Sequence, residues 1–364
     1  MPKHKIVMIV PQPDVQGGIA AVVNGYRGSR LERDYDIRYV ESYCDGSKWD
    51  KFLKAVRAYR TFRRMLREDA PELVHIHSSF GPSFWRKLPF IRMCSARGIP
   101  VVNHIHGSEF GRFYADAGAL KRRAVRKAYA QCAAIIVLNE TAADNIATIV
   151  PRSRISVIMN YAVCRREMAD PAVQQRRAEK KQVLILGKID RMKGSYDLPA
   201  VVSKVRHSVP QARFVAAGYG EIEEVKACFD RETLAGVDFP GWIRGADKDR
   251  ALRESAVFFL PSYSEGMPMS VLEAMGSALP VVSTNVGGIP RLVTDGVSGR
   301  LLAPGDTDGM ASAVTEYLTD EAAREKAGLA GLAAAGAFGL DAHLDKIEKV
   351  WEAVLGGSGR ERKN

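Results

Sequence analysis

Short apolar runs recur along the chain, separated by longer segments in which apolar residues return every three or four positions. In the first half the runs are Ile6–Val10, Ile37–Val40, Leu73–Ile76, Val101–Ile105, Ala134–Leu138 and Ile155–Ile158. Each is rich in Val and Ile, the composition of strands buried on both faces. Between them lie helical patterns. In Lys48–Arg67, Phe52, Val56, Tyr59 and Leu66 fall near one face, while Lys51, Lys54, Arg57, Arg60, Arg64 and Arg67 crowd the others. The pattern restarts with Val183–Leu186, Ala212–Ala217, Val237–Phe239, Val257–Leu260, Pro280–Val282 and Gly299–Leu302. Repeated β-α alternation predicts α/β architecture, with parallel sheets flanked by helices and right-handed crossovers. Between the two series, Cys164–Lys181 is polar and basic and contains Pro171, so residues 166–181 read as a linker. Two Rossmann-like domains are expected, residues 1–165 and 182–340. A last amphipathic helix, Asp341–Leu355, carries Leu344, Ile347, Val350, Trp351 and Val354 at helical spacing and is expected to join the first domain. The Gly/Ser/charged segment Gly356–Asn364 reads as a disordered tail.

The length of 364 residues suits two full cores. The net charge of +11 is one-sided: residues 1–170 carry +12 and residues 171–364 carry −1. A basic half suits an acidic partner such as anionic lipid or a phosphorylated substrate, or is a solvated basic surface. Both readings stand for Lys48–Arg67 and the run Lys121-Arg122-Arg123 with Arg126-Lys127: docking on an anionic membrane, or a helix packed by one face. Nucleic acid is set aside, because no recognition motif accompanies the charge. Five scattered cysteines, with no CxxC pair, point to a reducing compartment rather than a disulfide framework. No apolar stretch approaches the roughly 18–20 residues of a membrane span. The expected location is the cytoplasm, with contact at the inner face of the cell membrane compatible with the charge.

The chemistry concentrates in Pro261–Gly276, PSYSEGMPMSVLEAMG, which follows a strand and opens a helix near Met269. A loop at the carboxyl end of a parallel strand is where open α/β sheets bind ligands, and a helix N-terminus favours anions such as a diphosphate. Gly266 permits close approach and Pro268 suits a first helical turn. Glu265 and Glu273 are two carboxylates that can each accept hydrogen bonds from a vicinal diol; an acidic turn complementing the helix dipole is the plainer alternative. Gly187–Gly194, GKIDRMKG, follows the first strand of the second half, and its Lys188 and Lys193 suit neutralisation of a diphosphate. Gln16-Gly17-Gly18-Ile19 lies between the first strand and helix, and is on its own an ordinary tight turn. In Asn103–Phe110, alternation puts His104 and His106 on one side of a strand. These two histidines, with His75 and His77, raise the question of a metal, but no acidic ligands accompany them at familiar spacing, and none is expected. Asp247-Lys248-Asp249 resembles a metal-binding string only superficially, because it falls where Asp caps a helix.

The segment from Phe258 to Pro304 resembles the signature of the family-4 retaining glycosyltransferases. Their acidic pair appears as Glu265 and Glu273. The stretch Pro280–Arg300, with Gly287-Gly288-Ile289-Pro290 and Asp295–Gly299, matches too, and the likeness extends more weakly over the whole chain. The resemblance implies the GT-B fold, two Rossmann-like domains facing across a cleft. It implies a retaining transfer of sugar from a UDP- or GDP-linked donor to a glycan or lipid-linked acceptor, in surface-polysaccharide or lipid-linked glycan synthesis, with no cofactor or metal. It places Glu265 on donor-sugar hydroxyls, Glu273 on the ribose, and the backbone from Gly266 through Met267 and Pro268 to Met269 at the sugar and phosphates. Lys188 and Lys193 fall on the diphosphate, Gly17 and Gly18 across the cleft from it and close to the acceptor, and His106 near the reacting carbon. Lys188 stands where the family usually has Arg; it keeps the charge and loses the bidentate fork, and Arg191 is a substitute. Rival readings are a sugar-nucleotide epimerase, a non-catalytic nucleotide-sugar-binding partner and, more distantly, a NAD-dependent oxidoreductase. In the last case Gly218-Tyr219-Gly220 lacks the third fingerprint glycine, with Glu223 in its place.

Overall fold

The computed structural model describes residues 3–107 and 110–361, the last four in backbone only. The chain forms two compact units. One holds the chain up to Asn160 together with the segment from Asp341; the other runs from Tyr161 to Leu340.

The first unit is built on six parallel strands: β1 (Lys5–Val10), β2 (Asp36–Glu41), β3 (Leu73–Ser78), β4 (Val101–Ile105), β5 (Ala134–Val137) and β6 (Ile155–Val157), in the order β2-β1-β3-β4-β5-β6. One face carries Val7, Ile9, Val74, Ile76, Val101 and Ile105, packed under Phe62, Phe84, Leu88, Val125, Tyr129 and Ile146 of the connecting helices. The other face carries His75, which receives a hydrogen bond from the Nε1–H of buried Trp351 on the last helix. That helix runs Leu340–Glu361, so Gly356–Glu361 continues it where the sequence suggests a disordered tail. Residues 362–364 lie outside the described residues.

The second unit has β7 (Gln182–Ile189), β8 (Arg213–Gly220), β9 (Val237–Gly241), β10 (Ser255–Leu260), β11 (Val281–Thr284) and β12 (Gly299–Leu302), in the order β12-β11-β10-β7-β8-β9, again all parallel. Gly218 lies inside β8, where a Cβ would sit 1.7 Å from the Gly187 carbonyl oxygen. That glycine serves close strand packing and not a dinucleotide turn.

The expected linker is not one. Within 166–181, Pro171–Lys180 forms a helix capped by the Asp170 carboxylate, which accepts from the Ala172 N–H at 2.8 Å. Its Arg177 is fully buried and donates to the carbonyls of Leu252, Arg253, Ser277 and Ala278 at 2.9–3.1 Å. Burial, with Arg324 and Arg253 nearby, lowers its pKa to about 9. A guanidinium carries five donors, and here four carbonyls accept from it. At Arg177 the polarity that reads as solvation in the sequence is internal hydrogen bonding, while Gln175, Arg176, Glu179 and Lys180 of the same helix are exposed. Similarly, Phe52 of the helix Lys48–Glu68 does not join the buried face, which is Ala55, Ala58, Phe62 and Leu66; Phe52 is 56% exposed.

Candidate active site

In the second unit β10 and β7 are neighbours, so the loops leaving their carboxyl ends meet. Tyr263 donates its N–H to the Met192 carbonyl at 2.8 Å, locking the two loops together. Gly194 has φ +69°, and a Cβ there would sit 2.0 Å from the Pro261 carbonyl oxygen. From the other side, β11 delivers Gly287 and Gly288 against the same loop. A Cβ on Gly287 (φ +56°) would lie 1.7 Å from the Glu265 backbone carbonyl oxygen, and one on Gly288 2.0 Å from the Gly266 carbonyl oxygen. Thr284 Oγ1 donates to the Ser262 carbonyl at 2.5 Å. The loop Pro261–Pro268 is thus clamped by backbone on both sides, with glycine wherever a side chain would collide.

That clamp holds Glu265. Its side chain is 5% exposed, and its Oε1 accepts from Lys193 Nζ at 2.6 Å and from Ser262 Oγ at 2.8 Å. Lys193 ends a short 3-10 turn, Arg191–Lys193, whose cap is Asp190: the Asp190 carboxylate accepts from the Lys193 N–H at 2.9 Å. Lys188 lies within β7 itself, because the strand runs three residues beyond the apolar run that marks it. Its ammonium pairs with Asp190 Oδ2 at 2.8 Å, and that hydrogen bond, against some desolvation, raises its pKa. Arg191 lies 4.3 Å over the Tyr196 ring. The helix Met269–Gly276 starts where the sequence places it, with buried Met267 and Pro268 leading in. Glu273, partly exposed, accepts from Lys248 Nζ at 2.8 Å. Lys248 is a partner that sequence reasoning missed; its only signal is the cation between Asp247 and Asp249. Those two aspartates do not cap the helix Ala246–Glu254, whose N-cap is Gly245; Asp247 pairs with Arg250 and Asp249 with Arg165.

In the first unit, Gly17 has φ +141° and caps the helix Gly18–Asn24 at the carboxyl end of β1. His106 follows β4; its neighbours Ser108 and Glu109 lie outside the described residues. The His106 N–H donates to the Ser78 carbonyl at 2.9 Å, its Nε2 is 2.9 Å from His77 Nδ1, and its ring stacks on His104. The register pairs His77 with His104, so alternation on two adjacent strands gathers His75, His77, His104 and His106 on one sheet face. Burial foremost pushes all four pKa values down, His75 and His106 to about 3, so the rings are neutral at neutral pH. Nitrogens of His75, His77 and His104 lie within 4.8 Å of one another, and among the described residues they are the one group with a metal-ligand arrangement. The His75–His77 rings stack at 2°, with no carboxylate in the group to offset an ion's charge.

Two sequence profiles match the chain. One, described as glycosyl transferases group 1, matches residues 180–320; the other, glycosyltransferase family 4, matches residues 19–161. Glycogen synthase of Mycobacterium tuberculosis is 27% identical over 265 residues, which is 70% of this chain and 62% of that protein. The chain therefore spans less than two thirds of that relative's length. The alpha-D-kanosaminyltransferase of Streptomyces kanamyceticus is 28% identical over 320 residues, 80% of each chain. Among solved structures, Anabaena HepE in complex with UDP and glucose superposes with a TM-score of 0.73 at 17% identity, covering 96% of this chain and 100% of that one. The fold is GT-B. Among the described residues no helix is long and apolar enough to cross a membrane.

Proposed function

Because the chain belongs to the family-4 glycosyltransferases, we propose that it transfers a sugar, with retention at the anomeric carbon, from a UDP- or GDP-linked donor to an acceptor hydroxyl. The acceptor is a glycan or a lipid-linked saccharide of surface-polymer synthesis. UDP in the HepE structure and the glycan product in the glycogen synthase name support this class.

The observation that carries the proposal is the clamped Glu265–Lys193 pair at the carboxyl ends of β10 and β7. A buried carboxylate fixed by two donors on one oxygen is preorganised to accept sugar hydroxyls on the other. Lys193 then shares its charge between Glu265 and a departing diphosphate, with Lys188 as second cation. The diphosphate gains charge as the glycosidic bond breaks, so fixed cations favour the transition state over the ground state. The backbone from Gly266 through Met267 and Pro268 to Met269 leads into the helix N-terminus, whose N–H groups face the sugar and phosphates. Glu273 grips the ribose diol, exchanging part of its bond to Lys248. In the first unit, Gly17 and Gly18 leave room for close approach of a ligand to the backbone. His106, neutral and hydrogen-bonded through Nε2 to His77, offers Nδ1 as a hydrogen-bond partner to a sugar hydroxyl. No metal takes part: the lysines supply the positive charge.

The test is a thermal-shift panel of nucleotide sugars followed by transfer assays. A donor that binds the folded state alone raises the melting temperature by mass action. A shift with a UDP- or GDP-sugar and release of nucleotide only with acceptor are expected. A sugar altered without acceptor, or a reduced nicotinamide, would refute the transfer.

A further inference from the structure

The helix Lys48–Glu68 shows an outward face that its buried face does not account for. At about 100° per residue, Trp49, Phe52, Leu53, Val56, Arg57, Arg60, Arg63, Arg64 and Arg67 all fall within about 80° of one direction, and Asp50 and Glu68 fall outside it. Trp49 is 72% exposed and Leu53 44% exposed, and all five arginines are exposed. The helix therefore presents apolar side chains in its first two turns and guanidinium groups in the three that follow. Other cations of this region turn inward instead: Lys54 pairs with Glu41 at 2.8 Å, and Arg86 lies 4.4 Å over the Tyr43 ring.

A second helix repeats the arrangement. In Ala119–Ala130, Leu120 is 84% exposed, and Arg123 and Lys127 follow it on one exposed stripe. Both helices pack on the same sheet face, through Phe62 and Leu66 in one and Val125 and Tyr129 in the other, with the helix Pro82–Ser95 in contact with each. Each returns from the carboxyl end of a parallel strand, so their first turns lie at the same end of the sheet. There Trp85, 38% exposed in the first turn of Pro82–Ser95, adds a further ring.

Aromatic and aliphatic tips in water have no gain unless an apolar medium covers them, and the adjoining arginines ask for anions beside that medium. A bilayer interface offers both at this spacing: acyl chains for the tips and phosphates for the guanidinium groups. A polynucleotide supplies phosphates and base faces for the rings, but no apolar medium for Leu53 and Leu120. We infer that this face of the first unit docks on an anionic lipid bilayer, with Trp49, Phe52, Leu53 and Leu120 entering the interface and Arg57, Arg60, Arg64 and Arg123 on the headgroups. The inference does not rest on the transferase reading, and its readout contains neither donor nor acceptor.

The full chain is mixed with vesicles of phosphatidylcholine alone or with 30 mol% phosphatidylglycerol, about one third anionic lipid being enough to set a negative surface potential. Sedimentation with the anionic vesicles and not the neutral ones is expected. Arg60→Glu with Arg64→Glu should weaken binding by at least about 25-fold, since each lost cation is worth about fivefold. Trp49→Ser with Phe52→Ser and Leu53→Ser should abolish binding that survives 0.5 M salt, above which screening removes most of the charge attraction. All these positions are solvent-exposed, so unchanged far-ultraviolet dichroism is expected of both variants. Equal binding to neutral vesicles, or retention of binding by both variants, overturns the inference. So does a concentration-dependent dimer in sedimentation velocity that the serine substitutions dissolve, because the occupant is then a second copy of this chain.

Discussion

Lys193→Ala tests the proposed site most directly, because two separable effects can be sized from the geometry. Lys193 Nζ lies 2.6 Å from Glu265 Oε1, and Glu265 is 5% exposed while Lys193 is 29% exposed. Breaking a fully buried ion pair costs about 3–5 kcal/mol. Here Ser262 Oγ keeps one donor on the carboxylate at 2.8 Å, and water can enter from the lysine's side. The loss should therefore be that of a hydrogen bond to a charged group, about 1.5–3 kcal/mol. For a unit of roughly 150–250 residues that lowers the melting temperature by about 3–12 °C. The second effect is catalytic. Removing a fixed charge that meets the leaving diphosphate should lower kcat by about 100- to 1000-fold, or ~2.7–4 kcal/mol. The assay is nucleotide release at saturating donor, below the variant's melting temperature, alongside Lys193→Arg. The arginine variant keeps the charge and should recover most of the stability and part of the turnover. A lowered melting temperature with unchanged kcat would reduce Lys193 to a support for Glu265 and refute its role on the diphosphate.

Glu273→Ala should raise the donor KM by about 10- to 100-fold, as loss of a charged hydrogen bond to a diol does, with little change in urea midpoint; an unaltered KM would remove Glu273 from the ribose. Gly287→Ala places a Cβ 1.7 Å from the Glu265 backbone carbonyl oxygen at φ +56°, so it should cost at least about 1–3 kcal/mol and shift the urea midpoint; an unshifted midpoint would mean the clamp is not rigid. Treatment with EDTA should leave transfer unchanged, and inhibition reversed by a divalent ion would show that metal takes part. Acid should destabilise the first unit. The folded pKa values of His75 and His343 are depressed to about 3 and about 4, chiefly by burial, below an unfolded value of about 6.5. Their contribution is intact above that value and is lost as pH falls towards the folded ones, at about 1.4 kcal/mol per pH unit each. A melting temperature constant from pH 7 to pH 5 would contradict that burial.

The alternation of apolar runs with helical segments placed all twelve strands of the described residues in the sequence, because the central strands are buried on both faces and so locally apolar, and the edge strands β2, β9 and β12 still carry a short apolar run. The loop Pro261–Pro268 and its helix start were legible for a similar reason: glycine, proline and the helix entry are local signals. Which loop touches which was not. Glu265 and Lys193 are 72 positions apart, and they meet only because β10 pairs with β7, a neighbour relation set by sheet order and not by any residue's own pattern. The four histidines likewise converge through the β3–β4 register. Polarity misled where burial was decided elsewhere: Arg177 looked like solvated linker and is a buried donor to four carbonyls, and Phe52 looked like core and faces water. Local periodicity thus determined the elements and the chemistry each could carry. Tertiary pairing alone decided which charges neutralise each other, which polar groups are enclosed and which apolar ones are left outside, because those energies depend on neighbours distant in the chain.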